Sequence, residues 1–289
     1  MRKDAIWIVG SEGRMGSELL RLLKNKTDYK VVATDRKMDV TDLDQVNRAA
    51  DIYDPDVVIN CASISDRDYC EEHRIDAFRV NALGARNLAM ATRRKNIIIV
   101  QLSTDDVFDG HNNRSKNEFD TPTPNTVYGQ SKLAGENFVR ELNPKHLIVR
   151  SSWVYGSRKA KKMEYKDFYS QVIEHGEKGE TFQCPIDVIS TPTSTLEIAR
   201  FLKEALRIRE YGTYHVSCEG ACSKREYARK ILQLNGYDPE LCQASFEKKD
   251  GKVTSTLLEN LMIKMTGLIE MAPWEDALKE YVEREKGEV

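Results

Sequence analysis

The chain has 289 residues, of which 31% are charged, yet its formal net charge is only −2; nearly matched charges leave no electrostatic footprint for nucleic acid or an anionic membrane surface. With 40% of residues hydrophobic, a chain of this length can bury a substantial core in one large domain or two small ones. Its first apolar run, Ala5 to Val9, is too short for a signal-peptide core or a membrane span, so a cytoplasmic protein is expected.

Taken in order, Ala5-Ile6-Trp7-Ile8-Val9 reads as a strand buried on both faces. Gly10, Gly13 and Gly16 follow at intervals of three and run into the helical pattern Leu19, Leu20, Leu22 and Leu23. A strand, a glycine-rich turn and a helix aim helix N-terminal amides at a pyrophosphate; a plain glycine turn is the alternative. A second strand, Tyr29 to Thr34, ends at Asp35, about 20 residues past the glycines, where an acid can accept from an adenosine ribose hydroxyl. Arg36 and Lys37 come next and could instead meet a 2′-phosphate, so NADH and NADPH both stay open. Asp54 to Ala62 reads as a third strand and Arg74 to Thr92 as one long helix. Asn96 to Leu102 reads as a fourth strand leading into Ser103-Thr104-Asp105-Asp106, and His146 to Trp153 as a further strand.

Between these last two strands Tyr128 and Lys132 stand four residues apart in a helical stretch, so both side chains leave one face. A lysine ammonium there lowers the pKa of a neighbouring phenol and can donate to a bound ribose, which makes the pair a proton-transfer device. Solvated helices often carry such a pair by chance, and it is the rest of the chain that favours chemistry. The strand and helix alternation implies an α/β fold with a doubly wound parallel sheet (Rossmann), whose ligands lie at the carboxyl ends of the strands. The Ser103-Thr104 end, the Tyr128 helix and the Trp153 end then converge on one crevice. Residues 1–156 are expected to form the NAD(P)-binding domain and 157–289 mainly a smaller C-terminal substrate lobe, with about 186–217 returning to the core. In that last third, Glu197 to Arg209 reads as a helix and Gly212 to Ser217 as a strand. Ser223 to Glu226 is a capping box opening a helix through Leu234, and Pro273 starts the final helix.

The six cysteines at 61, 70, 184, 218, 222 and 242 are scattered and are expected as reduced thiols. His215, Cys218 and Cys222 lack a fourth ligand at a zinc-type spacing, and a buried strand from Tyr214 to Ser217 accounts for the histidine, so no metal is expected. The basic run Lys159 to Lys162 reads as a solvated loop.

An ordered set of segments carries a resemblance: Gly10 to Gly16, Asp39-Val40-Thr41-Asp42, Pro55 to Ala62, Val80-Asn81-Ala82, Ser103 to Gly110, Tyr128 to Lys132, Arg150 to Gly156 and Thr191-Pro192-Thr193. Over nearly its whole length the chain resembles the dTDP-4-dehydrorhamnose reductase family of the extended short-chain dehydrogenases/reductases. The resemblance implies that NADPH or NADH reduces the C4 ketone of a nucleotide-linked 4-keto-6-deoxy sugar, dTDP-4-dehydro-L-rhamnose before others. Tyr128 would be the acid, Lys132 would tune it and hold the nicotinamide ribose, and Thr104 would hydrogen-bond the ketone. Trp153 would pack beside the sugar or simply cap its strand. The cofactor would lie along Gly10, Gly13, Arg14, Met15, Gly16, Asp35, Asp39, Val40, Cys61, Ala62, Ser63 and Ser103, together with Tyr128 and Lys132; Asp39 also suits a helix N-cap region.

Two departures fall on the substrate side. Asp106 stands where the family usually has a tyrosine facing the sugar. No Arg-Pro pair occurs in Lys248 to Thr254, where Lys249 or Lys252 would have to serve the nucleotide as a point charge. A different nucleotide sugar, or a non-catalytic cofactor-binding subunit like the regulatory beta subunit of methionine adenosyltransferase, are therefore the alternatives. The resemblance implies that a homodimer can form, in some members with bound magnesium, but no residue here derives either property.

Overall fold

The computed structural model describes residues 4–24, 29–110, 114–156, 167–247 and 254–287; the run Lys159 to Lys162 and both Lys249 and Lys252 lie outside them. The first half runs β1 (Asp4–Val9), α1 (Arg14–Lys24), β2 (Tyr29–Thr34), α2 (Leu43–Tyr53), β3 (Val57–Asn60), α3 (Arg67–Glu72), α4 (Arg74–Phe78), a π-helical turn (Arg79–Gly84), α5 (Ala85–Arg94) and β4 (Ile98–Thr104). A 3-10 turn (Asp105–Val107) precedes α6 (Val127–Leu142) and β5 (His146–Ser151). Next come β6 (Val154–Tyr155), α7 (Phe168–Lys178), β7 (Phe182–Pro185), β8 (Val188–Ser190), β9 (Thr193–Ser194), α8 (Thr195–Ile208) and β10 (Gly212–His215). The chain closes with β11 (Cys222–Ser223), α9 (Lys224–Leu234), β12 (Cys242–Ser245), β13 (Thr254–Ser255), α10 (Leu261–Thr266) and α11 (Trp274–Lys286).

Six strands form one sheet in the order β10-β5-β4-β3-β1-β2, and every pairing in it is parallel. The apolar runs in the sequence follow from burial on both faces. Ile6, Ile8, Ile59, Val100 and Leu147 pack one way, against Leu19, Phe201 and Leu202. Trp7, Val58, Ile99 and Ile148 pack the other way, against Val46, Leu88 and Val139. The winding reverses between β1 and β3, which opens a crevice at their carboxyl ends. There Gly10 adopts φ +78°, and a Cβ on it would lie 2.7 Å from the Ala62 amide nitrogen. The turn and the β3 end thus meet backbone to backbone, which only glycine permits.

β3 and β10 are shorter than the expected 54–62 and 212–217, running Val57–Asn60 and Gly212–His215, and α8 is shifted to Thr195–Ile208; three further departures have a visible backbone cause or consequence. The helix expected over 74–92 contains the π-helical turn Arg79–Gly84 and continues to Arg94. Its extra residue per turn accompanies an inward-facing Asn81, whose amide bonds both the N–H and the C=O of Ile64 and the Ser131 hydroxyl. The fourth strand starts later, at Ile98, because Asn96 turns with φ +59°. The fifth ends at Ser151, and Trp153 sits beyond it at φ +39°, a left-handed conformation in which a bulky residue is strained.

Beyond β5 the chain alternates between two bodies of structure. α8 and β10 join the large sheet and its core. β8 instead pairs with β11 and β13, and β7 with β12, over an aromatic core of Tyr155, Tyr169, Tyr227, Trp274 and Tyr281. The capping box is complete, with Ser223 and Glu226 each bonding the other's backbone N–H, and Pro273 is the N-cap of α11.

Candidate active site

α6 positions the central pair. Thr126 caps it by accepting from the Gly129 amide at 3.0 Å, and Glu71 of α3 accepts from the Val127 amide at 2.8 Å. Two of the four N–H groups that a helix start leaves open are therefore satisfied. Ser131 donates to the Tyr128 carbonyl at 2.8 Å and accepts from Asn81 at 2.9 Å, tying α6 to the π-helical turn. Tyr128 is half-buried against a small cluster of Cys70, Ala77 and Val127.

Lys132 is buried, and its Nζ donates to the Leu102 carbonyl at 2.7 Å. Burial pushes its pKa down to about 8, with Glu136 and Cys61 pulling the other way. Burial likewise drives the Cys61 thiol up to about 12, against the nearby Lys132 charge. Cys61 follows β3, and Lys132 bonds Leu102 of β4, the strand paired with β3.

The 3-10 turn forms the other wall. Thr104 Oγ1 accepts from the Asp106 amide at 3.2 Å and donates to Asp105 Oδ1 at 3.1 Å. Asp105 also accepts from the Thr256 hydroxyl at 2.6 Å; burial, and then Asp106, raise its proton affinity well above the ordinary carboxylate range. Asp106 does not stand open toward the crevice. Arg67 Nε and Nη2 donate to its two carboxylate oxygens at 2.7 and 2.6 Å, the paired geometry of a strong ion pair.

α6 lies so close to this turn that a Cβ on Gly129 would be 2.0 Å from the Asp106 carbonyl oxygen. The obstacle is backbone, so Gly129→Ala is expected to force the two elements apart, costing about 1–3 kcal/mol. It should also lower activity by moving Tyr128 away from Thr104. Thermal unfolding and turnover, measured together, check both effects.

Behind the site, Glu136 and Arg150 form a buried ion pair at 2.6 Å. Ser103 donates to Glu136, and Arg150 lies over the Phe108 ring. Arg150 also meets His215 Nε2 at 3.4 Å, while His215 Nδ1 faces the Lys116 and Glu259 carbonyls. Nδ1 therefore carries the proton, and burial followed by Arg150 lowers the His215 pKa to about 3. Both ring nitrogens are in use. Among the described residues no three His, Cys, Asp or Glu side chains stand together as metal ligands, and no helix is long and apolar enough to cross a membrane.

The residues expected to hold a cofactor occupy the switch point and the loops beside it. Gly10 and Gly13 bring no side chain to the turn: Gly13 is exposed, and a Cβ on it would meet only the Gly10 carbonyl, at 3.5 Å. α1 begins directly after it, so its first amides point toward the turn, a cradle that fits a pyrophosphate. Arg14 donates to the Val154 carbonyl at 2.9 Å and lies 3.2 Å from Asp167, an ion pair without hydrogen-bond alignment at Nε. Met15 packs partly into the core. Asp35 and Asp39 each accept from a backbone amide two residues on; the cap of α2 is Asp42 instead. Val40 is buried under the π-helical turn, and Cys61, Ala62 and Ser63 line the end of β3. Trp153 stacks near Tyr227, ring centroids 6.2 Å apart, and so borders the aromatic lobe.

Sequence reasoning gave no role to Arg67, Glu71 or Glu136, and it named Asn81 and Arg150 only as parts of matching segments. A signal existed for two of them: Glu136 is one helical turn beyond Lys132, and Arg150 interrupts the buried run Leu147-Ile148-Val149.

Comparison with known proteins gives one answer. Residues 4–286 match the family model described as RmlD substrate binding domain. The crystal structure of dTDP-4-dehydrorhamnose reductase from Bacillus anthracis in complex with NADP superimposes with a TM-score of 0.90 at 32% identity, covering 97% of this chain and 99% of that one. A dTDP-4-dehydrorhamnose reductase from Clostridium acetobutylicum superimposes with a TM-score of 0.89 at 35% identity, covering 98% and 99%. The dTDP-4-keto-6-deoxy-D-glucose reductase of Streptomyces niveus is 32% identical over 235 residues, 81% of this chain and 80% of its own.

Proposed function

We propose, since the chain belongs to the dTDP-4-dehydrorhamnose reductase family and is thereby an NAD(P)H-dependent reductase, that Tyr128, Lys132 and Thr104 reduce the C4 ketone of a nucleotide-linked 4-keto-6-deoxy sugar. The observation that carries this assignment is the packing of α6 on the 3-10 turn, which brings Tyr128 and Lys132 to one wall of the crevice and Thr104 to the other. NADPH or NADH, when bound, supplies the hydride, and the open turn at Gly10 to Gly13 with the α1 amides would hold its pyrophosphate. We place Arg14, Met15, Gly16, Asp35, Asp39, Val40, Cys61, Ala62, Ser63 and Ser103 around it, with residues 1–156 as the cofactor unit and the later aromatic lobe facing the sugar beside Trp153.

As hydride adds to C4, the carbonyl electron pair moves onto oxygen and takes the phenolic proton of Tyr128. The Lys132 ammonium favours the phenolate left behind. Thr104 donates to the same oxygen as its charge develops. For that its proton must leave Asp105, and a protonated Asp105, favoured by burial, releases it.

Because Lys132 must stay charged and its pKa lies near 8, turnover is expected to fall as pH rises through about 8. Below that pH the ammonium is intact. A pH profile of kcat/KM, which reports groups of the free enzyme, checks this; a kcat/KM that stays flat to pH values well beyond 8 would remove Lys132 from the role.

A second reading concerns only the sugar. Asp106 is paired with Arg67, and the Streptomyces niveus relative, named for another 4-keto sugar, shares 32% identity over 81% of the chain, the same identity as the solved Bacillus anthracis reductase over 97%. Oxidation of NADPH and then NADH, followed with dTDP-4-dehydro-L-rhamnose and with dTDP-4-keto-6-deoxy-D-glucose, separates the two. Rapid oxidation with the first assigns the rhamnose reaction; oxidation with the second alone moves the assignment to that sugar. Tight cofactor binding without oxidation by any 4-keto sugar would refute the reductase role.

A further inference from the structure

We propose that Arg67, held by Asp106, is a specificity-determining residue that donates hydrogen bonds to acceptor oxygens of an uncharged sugar ring beside Tyr128. This rests on the reductase reading above and deepens it.

The placement comes first. α3 packs against the start of α6, where Cys70, Ala77 and Val127 cluster around Tyr128. Glu71, one helical turn beyond Arg67 on the same face of α3, bonds the Val127 amide at 2.8 Å. Arg67 is thereby fixed next to the Tyr128 end of the crevice, two residues in space from Thr104 through Asp106. Although its side chain is exposed, the surrounding protein partly desolvates the guanidinium, and the Asp106 and Asp105 carboxylates hold its charge on, with a contribution from the Tyr128 phenol.

The geometry of the pair comes next. Asp106 has a side chain only 9% exposed, whereas Arg67 is 56% exposed, so the fork is closed on the acid side and open on the arginine side. A guanidinium carries five N–H groups. The bonds to Asp106 engage Nε and Nη2, which leaves three N–H groups directed away from the carboxylate. An isolated arginine would call for an anion. This one is already neutralised by Asp106, so it offers donors without net charge, and the ligand it suits is a hydroxyl or carbonyl oxygen. A carboxylate at position 106 cannot stack on a sugar as an aromatic ring does; here it serves as the clamp for the donor.

A pair of purely structural value would affect stability and leave sugar discrimination alone, and the test separates these. Initial rates with NADPH would be measured for a dTDP-linked 4-keto-6-deoxy hexose, for analogues lacking the ring hydroxyl at C2 or C3, and for a 4-keto sugar bearing a C6 carboxylate. Wild type, Arg67→Ala and the double variant Arg67→Gln/Asp106→Asn would be compared. The double variant keeps two hydrogen-bonding groups facing each other, so no buried carboxylate is left unpaired. Wild type is expected to favour the fully hydroxylated sugar over at least one deoxy analogue by about 10- to 100-fold in kcat/KM, the range for a hydrogen bond from a charged donor. In both variants that preference should collapse through a higher KM for the hydroxylated sugar, with the KM for NADPH unchanged. An unchanged preference in a folded double variant would overturn the proposal while leaving the reductase reading in place. A wild-type preference for the carboxylated sugar would overturn the uncharged-ligand claim. No turnover of any 4-keto sugar by wild type would bring down the reductase reading and this inference with it.

Discussion

Tyr128→Phe is expected to reduce kcat/KM for the 4-keto sugar by about 100- to 10,000-fold, the usual contribution of a positioned general acid. The substitution removes one hydroxyl and keeps the ring that packs against Cys70, Ala77 and Val127. Everything that orients the residue from the main chain also survives: the Thr126 cap, the Glu71 bond to Val127 and the Ser131 bond to the Tyr128 carbonyl. The loss should therefore appear in the chemical step, with NADPH affinity and melting temperature close to wild type. Rates of NADPH oxidation, paired with a titration of NADPH binding, make the comparison. A variant that turns over within a few-fold of wild type would mean that another group protonates the alkoxide.

Arg150→Ala carries the largest expected stability effect. Glu136 has no exposed side-chain surface and Arg150 only 2%, and their contact comprises hydrogen bonds from Nε and Nη2 at 2.6 to 3.2 Å. Truncating the arginine leaves a buried carboxylate held by Ser103 and by Arg140 at 3.5 Å. Breaking a buried pair in this way costs about 3–5 kcal/mol, which should show as a large fall in the denaturant midpoint. Removing both charges with Arg150→Met and Glu136→Gln should recover most of that loss, because the penalty comes from the orphaned charge and not from a missing attraction. If the single variant unfolds at the wild-type midpoint, the pair is not buried as described.

Much of the large sheet was legible because strands covered on both faces leave uninterrupted apolar runs. β1 is buried from Ala5 to Val9 as that pattern requires; β2, an edge strand with no buried residue, also has the expected bounds, Tyr29 to Thr34, and the start of α9 was announced by its Ser223 and Glu226 capping box. What the sequence hid were features imposed from elsewhere in the fold. The stretch Arg79 to Gly84 has an ordinary helical composition, and only the position of Asn81 against Ile64 and Ser131 goes with its wider turn. Strand propensity runs straight through Ser152 to Trp153, yet the backbone turns into the left-handed region there. Asp106 was visible as an unusual acid, but its partner lies 39 residues earlier in the chain, on a helix whose own pattern gives no hint of the contact. Asp39 had two readings, and it bonds the Thr41 amide while Asp42 caps the helix.

The placement of Arg150 on β5 also bears on how the chain is made. β5 gains its outer neighbour only from Gly212 to His215, so a nascent chain holds a five-stranded sheet with β5 as its bare edge until synthesis has passed His215. At about 5–20 residues per second that interval lasts seconds, and an edge bearing Leu147, Ile148 and Val149 invites pairing with a foreign strand. α6 precedes β5 in the chain, so Glu136 is already at hand to pair Arg150, and what a foreign strand would fail to supply is the counterpart to His215, which lies opposite Arg150 in the native register. The exposed interval of that edge therefore closes only when the chain's own last sheet strand arrives and sets His215 beside Arg150.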